Sequence, residues 1–206
     1  EDMKNLPKNM PQTTTTSSAN RADLEDIHIT EETVITKLNK LRGDKAIGAD
    51  DISPRLLVEI KDVICYPLTV IFQKSFQSGV VPDDWKMANV TPIYKKDNRS
   101  QPCNYRPISL TSQICKLFES IARDSIVEYL ENNQLINDSQ HGFRRGRSCL
   151  TNLLIFLDKV TRQVDEGNNL DVIYLDFAKA FDRVPHQRLI IKMREIGING
   201  RLLAWI

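Results

Sequence analysis

No cysteine pair in this 206-residue chain stands at C-x-x-C spacing. The four cysteines, Cys65, Cys103, Cys115 and Cys149, are widely spread, and His28, His141 and His186 do not fall at zinc-finger distances from them. That excludes a zinc module and argues against a disulfide scaffold, so free thiols in a reducing compartment are expected. Long apolar runs are missing as well: none reaches the roughly 18 residues that a membrane span needs, and no signal-peptide pattern opens the chain, so no membrane partner is expected. Excess charge of one sign is also lacking, since 28 Lys and Arg against 27 Asp and Glu leave +1. Net charge therefore points to no partner, and any basic surface must come from local clustering.

What the chain does have is 41% apolar residues, enough for the core of one large domain or two small ones. Residues 1–28 stand apart from this composition. Pro7, Pro11, the run Thr13 to Thr16, Ser17 and Ser18 bring few large apolar side chains, as in a disordered linker or leader. The chain starts on Glu1 and stops at Trp205-Ile206 inside an unterminated apolar pattern, as a piece of a longer polypeptide would.

Order is expected from Ile29-Thr30, where Glu31 and Glu32 favour a helix N-terminus and Val34, Leu38 and Leu41 share a face until about Gly43. GADDISPRLL (48–57) reads as a turn opening a second helix. Its face of Leu56, Leu57, Ile60, Val63, Ile64, Leu68, Ile71 and Phe72 lasts to Gly79, and Pro67 should kink or divide it. VPDDWKMANVTPIYKKD (81–97) holds a short strand at Val90, Ile93 and Tyr94, with Pro92 marking an edge or bulge. A finger-like hairpin closing through the polar loop 97–104 follows from this. From Pro107 the pattern reads as helix again, with Ile114, Leu117, Phe118 and Ile121 on one face. HGFRRGRSCLTNLL (141–154) is a glycine-bearing basic turn that opens a helix faced by Leu150, Leu153, Leu154, Leu157 and Val164. A strand over 170–176, a helix from about Pro185 to Ile196 and a last helix toward Ile206 complete the pattern. The fold class is α+β, with more helix than strand and no internal repeat.

Three places carry chemistry. In DVIYLDFAKAFDRVPH (171–186) an apolar run with strand character delivers Asp176, with Phe181 and Asp182 beyond it. A carboxylate beside packed apolar side chains costs several kcal/mol unless a partner such as a metal ion offsets it. Polymerases hold two Mg²⁺ ions with carboxylates in this way, although an acidic residue capping the next turn has the same local look. The second place is Lys95, Lys96, Arg99 and Arg106 on either side of a turn, which would grip a triphosphate or simply face solvent. The third is Arg144, Arg145 and Arg147 between Gly142 and Gly146, beside Phe143. Small residues admit a phosphate chain, arginine binds it and an aromatic ring stacks on a base, although a solvated basic turn has the same composition.

The five blocks GADDISPRLL, VTPIYKKD, NYRPISLTSQICKLFESI, SQHGFRRGRSCLTNLL and DVIYLDFAKAFDRVPH, in this order, resemble a non-LTR (LINE-type) retrotransposon reverse transcriptase, in particular the jockey-like group. The resemblance covers about residues 29–206. It implies a right-hand polymerase fold, with 29–165 as helical fingers and 166–206 as the truncated start of the palm, its sheet incomplete. Asp176 then matches the first metal-binding and catalytic aspartate, and the backbone carbonyl of Phe177 completes that metal site. Phe181 matches the ring that rejects a 2′-hydroxyl, and Lys95 (or its neighbour Lys96) and Arg106 match the fingers residues that hold the incoming triphosphate. Phe143, Arg144, Arg145 and Arg147 match a block lying against the template. Asp182 is expected to orient the turn.

The resemblance further implies RNA-directed DNA polymerase activity with two Mg²⁺ ions, an RNA template, a DNA primer or target and deoxynucleoside triphosphates. An upstream endonuclease domain and a place in the nucleus and cytoplasm go with it. The family's second carboxylate pair, in an Ala-Asp-Asp setting, and its thumb are not found in these residues, and Asp50-Asp51 lies in the early fingers block instead. The expectation is therefore a fragment inactive by itself, the alternative being an element remnant that at most binds nucleic acid.

Overall fold

The computed structural model describes residues 21–206, and the polar stretch before them lies outside the described residues. The first helix forms where the acidic pair requires it. Helix α1 (Glu31–Asn39) starts on Thr30, whose side chain accepts from the Thr33 N–H at 3.1 Å, and it buries Val34 and Leu38 completely. Order begins before Ile29, contrary to the expected extent of the leader. Leu24 donates its N–H to Gly197 O at 2.8 Å and accepts from Asn199 N–H at 3.0 Å, and Ile27 is buried. The polar composition of 21–28 conceals two apolar residues that find partners at the far end of the chain.

The turn at 48–53 leads into α2 (Pro54–Glu59) and α3 (Lys61–Ser78), with Pro54 at the first helical position. The division expected at Pro67 falls instead at Ile60. Helix α3 runs unbroken through Pro67, which sits on its exposed side next to Val63, so the Val63 carbonyl that the proline leaves unpaired faces water. Gly79 then ends α3 in the left-handed conformation, φ +65°, that glycine adopts without strain. A short turn of helix, α4 (Asp83–Lys86), precedes the sheet.

That sheet has two antiparallel strands, β1 (Ala88–Tyr94) and β2 (Tyr105–Thr111), in the register Ile93↔Arg106 and Pro92↔Pro107. Helix was expected from Pro107; the structure continues the hairpin to Thr111 and starts α5 (Gln113–Asn132) at Ser112. The prolines are compatible with this for a geometric reason. Lys95 N–H donates to Asn104 O at 2.8 Å, which makes that pair a hydrogen-bonded one. By alternation the Pro92/Pro107 pair is non-hydrogen-bonded, and its missing N–H groups are those that would point outward. Each outer edge therefore has a gap that a further strand cannot pair with.

Helices α1, α3 and α5 and the short C-terminal α8 (Gly200–Trp205) enclose the core. Phe72 of α3 stacks on Phe118 of α5 at 4.7 Å, with the edge of Trp85 5.8 Å from Phe72 and Trp205 4.5 Å from Phe118. Leu117, Phe118 and Ile121 are buried as their periodicity requires. Of the expected α2–α3 face, Leu57, Leu68 and Phe72 are buried, whereas Leu56, Val63 and Ile71 are exposed.

The rest of the chain is different. Helix α6 (Cys149–Asp165) forms with a capping box between Ser148 and Thr151, and α7 (His186–Glu195) follows later, but neither buries a residue. Between them, residues 170–176 were expected to form a strand and do not. Val172, Ile173, Tyr174 and Leu175 have the propensity, but a strand exists only when another backbone pairs with it, and no ladder to this segment is present among the described residues. No helix among the described residues is long and apolar enough to cross a membrane.

Candidate nucleotide and nucleic-acid interface

The hairpin sorts the basic cluster of residues 95–106. Alternation along the ladder puts Thr91, Ile93 and Lys95 on one face with Arg106 and Ile108, and Val90, Pro92 and Tyr94 on the other with Tyr105 and Pro107. Lys95 and Arg106 are thus diagonal neighbours on one exposed face. Lys96 leaves the ladder and lies 3.9 Å from Asp97. Arg99 belongs to the opposite face, its guanidinium 4.8 Å above the Tyr94 ring, which meets Tyr105 edge-on at 5.7 Å. A same-face lysine and arginine with exposed head groups suit a polyphosphate, the arginine as a fork and the lysine as a point charge.

The root of the hairpin depends on residues that the sequence reading did not single out. A Cβ on Gly48 would come within 2.5 Å of Thr111 O, so only glycine lets the 48–51 turn press against the end of β2. Gln113 donates from Nε2 to Ala46 O at 2.9 Å and ties the same turn to the start of α5. The signal was present as a glycine ahead of the Asp pair, but its long-range partner was not.

The basic turn is divided between internal and outward-facing side chains. Arg144 donates Nε and Nη2 to Glu131 of α5, at 3.0 and 2.8 Å, and Nη1 to Asn137 O at 3.1 Å. Its side chain is only 13% exposed and is engaged in an internal ion pair. Arg147 lies 3.8 Å from Asp138. Arg145 is exposed and makes no ion pair among the described residues, and the Phe143 ring is 93% exposed. Buried His141 closes the turn from the other side, its Nδ1 2.9 Å from Thr151 Oγ1 in the capping box of α6. Glu131 carries no sequence signal that links it to Arg144.

Asp176 stands on the irregular segment and is exposed, as are Phe177 (83%) and Phe181 (82%). The burial cost inferred from the sequence therefore does not arise here, because Ile173, Tyr174 and Leu175 before it are themselves exposed. The Phe177 carbonyl and one carboxylate are too few oxygen donors for a hard divalent ion, and the described residues contain no group of three or more His, Cys, Asp or Glu able to hold one. These residues alone do not fit the expected pair of Mg²⁺ ions. An open groove of about 590 Å³ between α6 and residues 170–173 is lined by Phe156, Val160, Leu170 and Val172, and it does not include Asp176.

The hairpin, the basic turn and the Asp176 segment all lie in or next to a stretch with known relatives. The chain belongs to the reverse transcriptase (RNA-dependent DNA polymerase) family, which it matches over residues 93–206, more than half its length. It is similar to the probable RNA-directed DNA polymerase from transposon BS of Drosophila melanogaster, at 27% identity over 80% of this chain and 18% of that protein. The probable RNA-directed DNA polymerase from transposon X-element of the same fly is 29% identical over 74% of this chain and 17% of that protein. The RNA-directed DNA polymerase from mobile element jockey, also of that fly, is 26% identical over 82% of this chain and 18% of that protein. The resemblance to jockey-like elements is borne out. The chain spans less than a fifth of the length of these relatives.

Proposed function

We infer that this chain is the fingers and first palm segment of an RNA-directed DNA polymerase of a non-LTR retrotransposon, built as a right hand and copying RNA into DNA. The observation that carries this reading is the hairpin register. It sets Lys95 and Arg106 on one exposed face, as a grip on an incoming triphosphate requires, within the stretch that matches the reverse transcriptase family. Lys95 and Arg106 bind the phosphates, and Lys96, at the turn beside them, is the alternative donor. Phe181 lies against the sugar and excludes a 2′-hydroxyl, so deoxynucleotides are chosen. The reading includes a divalent-metal requirement, to which Asp176 and the Phe177 carbonyl contribute and which the described residues cannot meet alone.

The RNA template, a DNA primer or target, an endonuclease domain in the same polypeptide and a nuclear and cytoplasmic location all belong to this proposal. So does the assignment of residues 29–165 to fingers and 166–206 to the start of the palm. Mg²⁺-dependent primer extension on an RNA template tests it. The 206-residue chain should incorporate nothing, because its donor set is incomplete. A polypeptide that supplies the remaining carboxylates should extend the primer, and Lys95→Ala and Arg106→Ala in it should raise the KM for nucleotide. Incorporation by this chain alone would contradict the inactivity, and a longer polypeptide indifferent to both substitutions would remove the assigned roles.

A further inference from the structure

We propose that the basic turn reads unpaired nucleic acid through Phe143 and Arg145, and that Arg144 is a positioning residue which Glu131 holds back from the phosphates. The inference rests on the interface reading above and redistributes the roles within it. Phe143 has φ +60°, a conformation in which a bulky side chain is strained, and its ring is 93% exposed. Burial does not explain such a ring, which is almost wholly exposed among the described residues. The neighbouring contacts determine where it points. The bidentate Arg144–Glu131 pair and the bond to Asn137 O fasten the turn to the end of α5, and His141 fastens it to Thr151 at the start of α6. Between these two fixings the backbone presents Phe143 and Arg145 outward, a flat π-face beside one cation. That combination fits a splayed base with its adjacent phosphate, and a base inside a duplex has no free face to offer.

Charge makes the proposal testable by sign. If Arg144 were itself a phosphate contact, Glu131→Gln would release it and remove a repelling carboxylate, so binding would tighten. If Arg144 positions the turn, the same substitution loosens Phe143 and binding weakens.

The measurement is fluorescence anisotropy of a labelled single-stranded oligoribonucleotide on the 206-residue chain across a salt series. Phe143→Ala should weaken binding about tenfold with an unchanged salt slope, and Arg145→Ala should lower that slope by about one. Glu131→Gln should weaken binding, and Arg144→Lys, which keeps the charge but loses the fork, should do so as much as Arg144→Ala. Duplex RNA should bind less tightly than the single strand. Phe143→Ala leaves the melting temperature unchanged, so a folding defect is not confused with lost contact. Tightening by Glu131→Gln, or rescue by Arg144→Lys, overturns the proposal. Intact binding indifferent to Phe143→Ala overturns it alone, whereas no binding by the unsubstituted chain overturns it together with the interface reading.

Discussion

Two regions of the molecule are both rich in apolar residues and have different fates. In α1, α3, α5 and α8 the apolar stripes meet, and Phe72, Phe118, Leu38 and Leu202 are wholly buried. In α6 and residues 170–181 they find little cover among the described residues: Phe156 meets Tyr174 at 6.2 Å, but Leu153 and Leu154 are half exposed, and Ile173 and Leu175 are 82% and 88% exposed. Periodicity states which side of an element wants cover, and it is silent on what supplies that cover. The first region is a packed core, and the second, which carries Asp176 and Phe181, keeps most of its apolar side chains exposed among the described residues.

Hydrogen exchange gives the widest separation between the two. Amides of α3 and α5 around Phe72 and Phe118 should exchange on the order of 10³ times more slowly than those of 170–176. Equal protection would mean that the second region is ordered by something other than its visible contacts. Phe118→Ala should cost about 3–5 kcal/mol in chemical denaturation, and Leu175→Ala within about 0.5 kcal/mol of nothing. A large loss at Leu175 would dissolve the contrast.

The thiols sharpen it further. Burial pushes the Cys115 thiol up to about 12 and raises that of Cys65 as well, whereas Cys103 and Cys149 are exposed. Iodoacetamide followed by mass spectrometry should modify Cys103 and Cys149 first and reach Cys65 and Cys115 only on unfolding. Early labelling of Cys115 would count against the packed core. The smallest effect concerns the clamp on the basic turn. The hydrogen bonds from Arg144 hold the Glu131 carboxyl below its ordinary 4.5. A depressed carboxyl contributes stability above its unfolded value and loses it as pH falls through the folded one. The melting temperature should therefore drop more steeply below pH 4.5 in the unsubstituted chain than in Glu131→Gln. Parallel curves would show that the ion pair is not maintained in solution.

Local signals were legible in the sequence and remote partners were not. The start of α1 at Thr30, the buried face of α5, the opening of α6 after the basic turn and the first strand of the hairpin each follow from neighbours within a turn or two. The extent of the second strand was hidden because Pro107 reads as a helix start until its partner is known to be Pro92. The segment 170–176 failed in the opposite sense, having strand propensity without a ladder. For the candidate site, Lys95 and Arg106 could be proposed from the sequence, but their shared face required the register. Arg144 looked like its neighbours, and only Glu131, thirteen positions away, distinguishes it.

The paired prolines bear on how the chain is made. On a message read by several ribosomes, neighbouring nascent copies hold the same completed hairpin at high local concentration, before α6 has been synthesised. Strand edges with intact N–H rows would offer each copy a template for its neighbour. With Pro92 and Pro107 interrupting both rows, the hairpin can wait for the rest of its own polypeptide without recruiting a sibling's.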